Sequence, residues 1–153
     1  MAGAVGCYGF AGGGLPPAIR TVALLPFENQ TAEPTLTQEV GNSVREALER
    51  RLGLRQASTN QADALVRGVI LRYEPDLPVQ YTGGDDRTVS VTRRLVQITV
   101  SVEILDQKQD KAIWQRSGLL VQGDYDPGQE RQGRERALED LVTNIVEGAQ
   151  SQW

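Results

Sequence analysis

The chain has 153 residues, of which 39% are hydrophobic, and its 16 Lys and Arg against 20 Asp and Glu give a net charge of -4. These values describe one domain with a modest core, and they argue against nucleic acid as a partner because phosphate binding needs a clustered basic surface. With no His and one Cys, the chain lacks the commonest general base and cannot form an internal disulfide or a multi-sulfur metal site. We therefore expect no catalytic residue, no metal and no cofactor.

Residues 1–18 differ in composition from the rest of the chain. The first seven are small or apolar, and residues 8–17 contain four Gly and two Pro. Glycine loses much conformational entropy on ordering, and consecutive prolines cannot take part in a regular hydrogen-bond ladder. We interpret this segment as a truncated signal remnant and a flexible tether, followed by a single domain over residues 19–153.

The first part of the domain predicts a strand and then a helix. The apolar, partly β-branched run Ile19–Phe27 indicates a largely buried strand. A helix should follow, because apolar residues recur at three- and four-residue steps; they are Leu36, Val40, Val44, Ala47, Leu48 and Leu52. Thr35 or Thr37 is expected to cap the start of this helix, and Gly53 favours a left-handed conformation at its end.

The second part predicts three strands and a final helix. Residues 64–73 form an apolar strand, whose continuation Pro75 and Pro78 should weaken. A Gly-Gly pair favours a hairpin turn within residues 81–88. The clearest strand covers residues 96–104, where apolar and polar side chains alternate, and a polar loop connects it to a returning strand over residues 112–122. An apolar stripe over residues 133–153 indicates the second helix.

The order of these elements, β-α-β-β-β-α, predicts an α+β fold. We expect a two-layer sandwich, with a roughly four-stranded mixed or antiparallel sheet and two helices on one face. Two apolar helical stripes and one alternating sheet face supply a suitable amount of buried surface for such a core.

Aspartates and arginines are the polar side chains that we consider as candidate functional groups. The aspartates occur in predicted turns, where turn propensity accounts for them better than catalysis does; they are Asp85, Asp86, Asp106, Asp110, Asp124 and Asp126. Arginine outnumbers lysine 14 to 2. Several arginines lie in or beside predicted strands, namely Arg20, Arg67, Arg72, Arg93, Arg94 and Arg116. They are either solvated charges on the sheet or part of a surface or edge that receives an anionic ligand or a partner protein.

The segment Ala4-Val-Gly-Cys7 resembles the lipobox of bacterial lipoproteins. In that motif small residues precede a cysteine that becomes lipidated, so the resemblance predicts lipidation of Cys7; the alternative is a free thiol in a flexible tail. A secretory signal also needs a basic region and an apolar region of 7–15 residues before the cysteine. We therefore expect either that the natural reading frame begins further upstream or that the sequence is truncated.

Over almost its full length the sequence resembles the LptE family of lipopolysaccharide-assembly lipoproteins of Gram-negative bacteria. The resemblance is carried by Gly6-Cys7-Tyr8-Gly-Phe10, Leu15-Pro-Pro-Ala-Ile-Arg-Thr-Val-Ala23, Pro26-Phe-Glu-Asn-Gln-Thr-Ala-Glu-Pro34, Ala62-Asp-Ala64 and Tyr125-Asp126. It implies a non-enzymatic domain, lipid-anchored on the periplasmic face of the outer membrane. There it would support and plug the β-barrel LptD and help lipopolysaccharide to reach the cell surface.

No short motif of the family marks residues that contact lipopolysaccharide. From their charge and position, we take Arg93 and Arg94 as candidates for that contact. The run Val22-Ala-Leu-Leu-Pro-Phe-Glu-Asn-Gln-Thr31 is also similar to the opening strand of other periplasmic lipoproteins. The alternative function is therefore that of a lipoprotein acting in secretion-channel assembly or as a peptidoglycan-synthase activator.

Overall fold

A computed structural model describes residues 18–79 and 93–151 of the chain. The strands are β1 (Thr21–Leu24), β2 (Glu28–Asn29), β3 (Arg55–Gln56), β4 (Ala64–Pro78), β5 (Arg94–Asp106) and β6 (Lys111–Tyr125). The helices are α1 (Thr35–Arg50), between β2 and β3, and α2 (Glu130–Ser151), after β6. In these ranges no helix is both long and apolar enough to cross a bilayer.

The strands form one mixed sheet in the order β3-β1-β4-β5-β6, and β2 pairs beside β4. β1 runs parallel to β3 and β4, whereas β5 is antiparallel to both of its neighbours, β4 and β6. The predicted α+β class and the order of the main elements are confirmed. The sheet has six strands rather than four, because β2 and β3 have two residues each and are too short to give a periodic signal.

The core lies between the sheet and the two helices. Alternate residues of β5, Val96, Ile98, Val100, Val102 and Ile104, are buried, as the alternation predicted. They share one cluster with most of the buried residues of α1 and with Leu138, Leu141 and Ile145 of α2. One face of the sheet is thereby covered by helices, and we call the opposite face of β4, β5 and β6 the open face.

Two local expectations from the sequence were wrong, and a third was correct. β1 ends at Leu24 instead of continuing to Phe27, since Pro26 cannot donate a ladder hydrogen bond. α1 starts directly after Pro34 without a side-chain cap, and the Thr35 hydroxyl donates to Glu33 instead. At the other end of α1, Gly53 has a φ of 68° and adopts the left-handed conformation that was expected.

β4 continues to Pro78 although its prolines predicted an earlier end. The reason is that the second half of β4 has only one neighbouring strand, since β2 pairs with β4 only at Val69 and Ile70. Beyond Ile70, β4 is bonded to β5 alone, so Pro75 and Pro78 lie on a strand edge where a missing N–H is tolerated. The predicted hairpin turn at residues 81–88 lies outside the described residues.

Glycines allow α2 to lie close to β6. A Cβ atom on Gly123 would overlap the backbone of α2 at Gly133 and Ala137. Similarly, Gly148 of α2 leaves room for the indole of Trp114, which is 7% exposed. α2 begins at Glu130, three residues before the predicted start, after a turn in which Gly128 has a φ of 87°.

Candidate functional site

The open face carries pairs of polar side chains that bond to one another across neighbouring strands. Residues directly opposite one another on neighbouring antiparallel strands share a face of the sheet. By this rule Arg67 of β4 lies beside Glu103 of β5, and its Nε donates to Glu103 Oε1 at 2.8 Å. Further along, Gln97 donates to Gln122 of β6 at 3.1 Å. Such pairs suit contact with a polar surface or with water.

Arg93 lies at the end of the open face, where β5 begins. Its Nη2 is 3.0 Å from Asp124 Oδ2, and its Nη1 is 3.0 Å from Asp126 Oδ1. Arg136 of α2 also donates to Asp124, to the backbone oxygen at 2.9 Å and to Oδ1 at 3.2 Å. Burial is the largest single influence on Asp124 and would raise its pKa, but the charge and hydrogen bond of Arg93, with the charge of Arg136, together outweigh it and lower that pKa.

Arg94 faces the helices, on the side opposite to Arg93. Its Nε donates to Asp76 Oδ1 at 2.5 Å, which lowers the pKa of Asp76 and raises that of Arg94. The Tyr125 hydroxyl donates to the backbone oxygen of Pro75 at 2.7 Å and holds the ends of β4 and β6 together. These groups and the start of α2 line an open cleft of about 400 Å³.

The two candidate arginines are therefore placed on opposite sides of β5, and each already has a carboxylate partner. A phosphate or carboxylate ligand would have to displace Asp124 or Asp126 from Arg93, or Asp76 from Arg94. Arginine can make such an exchange because its planar donors suit bidentate contacts with either anion. Contact between these residues and lipopolysaccharide remains a prediction. Cys7 lies outside the described residues.

The motif Ala62-Asp-Ala64 has a structural role. Asp63 Oδ2 accepts the backbone N–H of Arg20 at 2.9 Å and that of Thr21 at 3.1 Å, while Lys108 Nζ is 2.9 Å from Oδ1. The Asp63 N–H in turn donates to the Thr21 hydroxyl at 2.9 Å. The bond to Lys108 and the backbone N–H groups hold the pKa of Asp63 far below its usual range. Asp63 thus connects β1, β4 and the β5–β6 turn.

The motif that begins at Pro26 is also explained by packing and turn geometry. Phe27 is buried above Gly68, where a Cβ atom would collide with the phenyl ring. Asn29 Oδ1 accepts the N–H of Thr31 at 2.9 Å, and its Nδ2 donates to the Glu33 oxygen at 2.9 Å. These contacts shape the turn before α1 and require no ligand.

A family model described as LptE, lipopolysaccharide-assembly, matches residues 19–148. The chain belongs to the LptE family. A comparison with curated proteins gave no match.

Solved structures show that the LptE-family fold of this chain has relatives of low sequence identity. A minor lipoprotein from Acinetobacter baumannii is 20% identical, with a TM-score of 0.55, and the match covers 88% of this chain and 94% of that one. The PelC dodecamer from Paraburkholderia phytofirmans is 16% identical, with a TM-score of 0.54 and coverage of 90% and 94%. A Xanthomonas campestris protein is 14% identical, with a TM-score of 0.59 and 91% coverage of both chains. At these identities the comparisons establish the fold.

One polar cluster of this LptE-family domain was not expected from the sequence. Arg134 of α2 is 2.7 Å from Glu39 Oε1 of α1 and 3.4 Å from the Tyr73 hydroxyl of β4, which donates to Glu130 at 2.9 Å. Burial, together with the hydrogen bond and charge of Glu130, raises the pKa of Tyr73 to about 12, although the hydrogen bond with Arg134 acts in the opposite direction. The cluster joins both helices to the sheet. The contacts that join its different elements link residues 57 to 95 positions apart in sequence, so no local pattern indicates it.

Carboxylates of the predicted turns have structural partners. Asp106 Oδ1 accepts the N–H groups of Lys108 at 2.9 Å and Gln109 at 3.2 Å, as turn propensity suggested. Asp124 and Asp126 are paired with Arg93, and Asp85 and Asp86 lie outside the described residues. Within residues 18–79 and 93–151, no group of three or more His, Cys, Asp or Glu side chains is placed to hold a metal ion.

Proposed function

We propose that this protein is a non-enzymatic outer-membrane lipoprotein that assists lipopolysaccharide transport and assembly by supporting and plugging a β-barrel of the LptD type. The observation that carries the proposal is the match of the LptE family model to residues 19–148, which cover nearly the whole predicted domain. The lipopolysaccharide-assembly role belongs to the family as described; the barrel partner and the plugging role are the further steps proposed for this chain.

The surface chemistry of the domain supports a plugging role. The interior of a large outer-membrane barrel is polar, so a domain inside it must present groups that water or polar side chains can satisfy. The open face offers the pairs Arg67–Glu103 and Gln97–Gln122, and the end near β5 offers the ion pairs of Arg93. Among the described residues, no buried side-chain nitrogen or oxygen lacks a hydrogen-bond partner.

The proposed anchor is a lipid on Cys7. Each buried CH₂ group contributes about 0.8 kcal/mol to membrane binding, and one acyl chain alone gives only marginal attachment. Several chains on Cys7 would hold the protein stably on the periplasmic face of the outer membrane. The Gly-rich residues that follow Cys7 would separate the anchor from the domain.

Expression of the tagged protein with its complete upstream region, in its native cell, tests the proposal. We expect the protein to fractionate with the outer membrane and to co-purify with an LptD-type barrel after detergent extraction. A tagged cytosolic protein extracted in the same way controls for carry-over. Recovery with a secretion channel or a peptidoglycan synthase, instead of the barrel, would support the alternative lipoprotein functions.

The role of Arg93 and Arg94 is tested by direct binding of lipopolysaccharide to the purified domain. We expect the double change Arg93→Ala and Arg94→Ala to weaken binding about tenfold, the equivalent of losing one charge-assisted hydrogen bond to phosphate. Asp126→Asn should strengthen binding, because it removes a carboxylate that competes for Arg93. Arg131→Ala on α2 is the control, since Arg131 is exposed and bonded only within its helix. Unchanged affinity in the double variant would remove these two residues from the proposed contact.

A further inference from the structure

Three segments meet at the end of the domain where β1 begins. The Arg55 N–H, after α1, donates to the Arg20 oxygen at 3.1 Å. Asp63, before β4, accepts the Arg20 N–H at 2.9 Å and is 2.9 Å from Lys108 of the β5–β6 turn. We call this region the anchor end, because the chain from Cys7 enters the domain here; it comprises residues 18–21, 51–63 and 106–111.

The anchor end is basic, although the chain as a whole is acidic. Its three segments contain five basic and three acidic residues, a net charge of +2, whereas the whole chain has a net charge of -4. The five basic residues are all exposed; they are Arg20, Arg51, Arg55, Lys108 and Lys111. Both lysines of the chain are among them. A surface of this charge attracts anionic groups.

Most of the basic groups at the anchor end are not neutralised by the domain itself. Lys108 is paired with Asp63. The other four have no carboxylate within ion-pair distance among the described residues; they are Arg20, Arg51, Arg55 and Lys111. Asp106 caps its own turn, since it accepts the N–H groups of Lys108 and Gln109. The anchor end therefore keeps positive charge that a partner can neutralise.

The opposite end of the domain differs in how its arginines are paired. There β5 begins, and each arginine already has a carboxylate partner. Arg93 is paired with Asp124 and Asp126, and Arg94 is paired with Asp76. The two ends of the sheet thus differ in the feature that decides attraction to an anionic surface, which is the number of basic groups left without a carboxylate.

Chain length also favours contact between the anchor end and the bilayer that holds the lipid. β4 covers 15 residues, so the two ends of the domain lie about 45 Å apart. The chain from Cys7 to Ile19 can span at most about 40 Å. The opposite end could approach the same bilayer only if this chain ran extended along the whole domain. The anchor end can approach it without such extension.

We infer that the anchor end docks on the anionic phospholipid headgroups of the bilayer that holds the lipid anchor. This inference rests on the anchor in the proposed function and adds the orientation of the anchored domain. The four unpaired basic groups contact lipid phosphates, and an acyl anchor together with a basic surface holds a protein more firmly than either does alone. The end that carries Arg93 and Arg94 is then directed away from that bilayer.

The test uses the full chain, coupled through Cys7 to a maleimide lipid in vesicles of phosphatidylcholine with or without phosphatidylglycerol. Cys7 is the only cysteine, so the coupling places the anchor at one position. A photo-reactive amino acid replaces Gln56 at the anchor end or, as the matched position, Gln129 at the opposite end; both glutamines are exposed. Phosphatidylglycerol should raise cross-linking to lipid about fivefold from position 56 and less than about twofold from position 129.

A pair of double variants tests the basic groups themselves. Arg51→Gln with Lys111→Gln should lower the cross-linking from position 56 about fivefold in vesicles with phosphatidylglycerol, because two of the four unpaired charges are lost. Arg45→Gln with Arg72→Gln removes the same charge outside the anchor end and should change the cross-linking less than about twofold. Arg45 and Arg72 are matched to the first pair, since both are exposed and neither has an ion pair among the described residues.

Cross-linking from position 56 that does not respond to phosphatidylglycerol would overturn the inference. An equal response from positions 56 and 129, or an equal loss in the two double variants, would also overturn it. The comparison of lipids keeps every basic residue, so a folding defect in a variant leaves that result decisive. The vesicles contain no barrel and the anchor is supplied chemically, so this outcome and the recovery of a barrel from native membranes can fail independently.

Discussion

Replacing Gly123 by Ala is expected to lower the free energy of unfolding by about 3 kcal/mol, near the upper end of the range for overpacking a tight contact. The added Cβ would lie within 3.0 Å of the Gly133 oxygen, the Ala137 nitrogen and the Arg136 Cβ. The first two are backbone atoms of α2, which cannot rotate away as a side chain could. The helix must move off β6, and the contacts of its apolar stripe are weakened.

Gly41→Ala is the control for this prediction. Gly41 is inside α1, and a Cβ there would meet nothing within 4 Å. The same substitution should therefore raise the free energy of unfolding by about 0.5 to 1 kcal/mol through the better helix propensity of alanine. Urea unfolding followed by circular dichroism measures both changes. A loss below about 1 kcal/mol for Gly123→Ala would contradict the close packing of α2 on β6.

Asp63→Ala is the second change with a large expected effect, a loss of about 3 kcal/mol. The carboxylate accepts two backbone N–H groups, from Arg20 and Thr21, and is paired with Lys108. Removing it leaves those N–H groups at the start of β1 without their acceptor, and it separates the β5–β6 turn from the sheet. Thermal unfolding and urea unfolding should both report the loss.

The same carboxylate should make stability depend on pH. Its bonds to Lys108 and to the backbone N–H groups keep the folded-state pKa below the unfolded value of about 4. The folded state therefore binds fewer protons than the unfolded state in this range. The stabilisation is fully present above about pH 4 and is lost as the pH falls toward the folded-state pKa.

Asp63→Asn separates the charge from the shape of the side chain. This variant should lose part of the acid-dependent change in stability below about pH 4, while Asp110→Asn in the exposed β5–β6 turn should keep it. Asp110 is a suitable control because its φ of 54° is one that asparagine also adopts. An identical pH profile for Asp63→Asn and the unsubstituted protein would show that the network does not depend on the charge of Asp63.

The elements that could be predicted from the sequence are those with long periodic patterns. β5 alternates over its length, and α1 and α2 carry continuous apolar stripes, so their type and order were correct. The short strands β2 and β3 form only because β4 and β1 provide edges for them to pair with. The continuation of β4 past Pro75 likewise depends on which strands border it. A single strand's sequence does not contain that information.

In the candidate site, too, the sequence could indicate individual residues but not the distant residues with which they pair. Charge and position could point to Arg93 and Arg94, but not to their partners, because Asp124 is 31 residues from Arg93 and Asp76 is 18 residues from Arg94. The bulge of β4 after Ile70, which leaves Leu71 39% exposed, was not predicted either, since an apolar residue in an apolar strand is expected to be buried. The sequence does contain a signal for Asp63, because it is a single acidic residue between two alanines before a buried strand. The structural role of Asp63 is evident only from its contacts with Arg20 and Lys108.

We propose that this protein acts by fitting into a barrel partner and not by chemistry of its own. The most direct measurement is the composition of the complex that the tagged, full-length protein brings out of native outer membrane in mild detergent. We predict an LptD-type barrel and this protein in equimolar amounts. Recovery of the protein without such a barrel, or with a different envelope assembly in its place, would contradict the account.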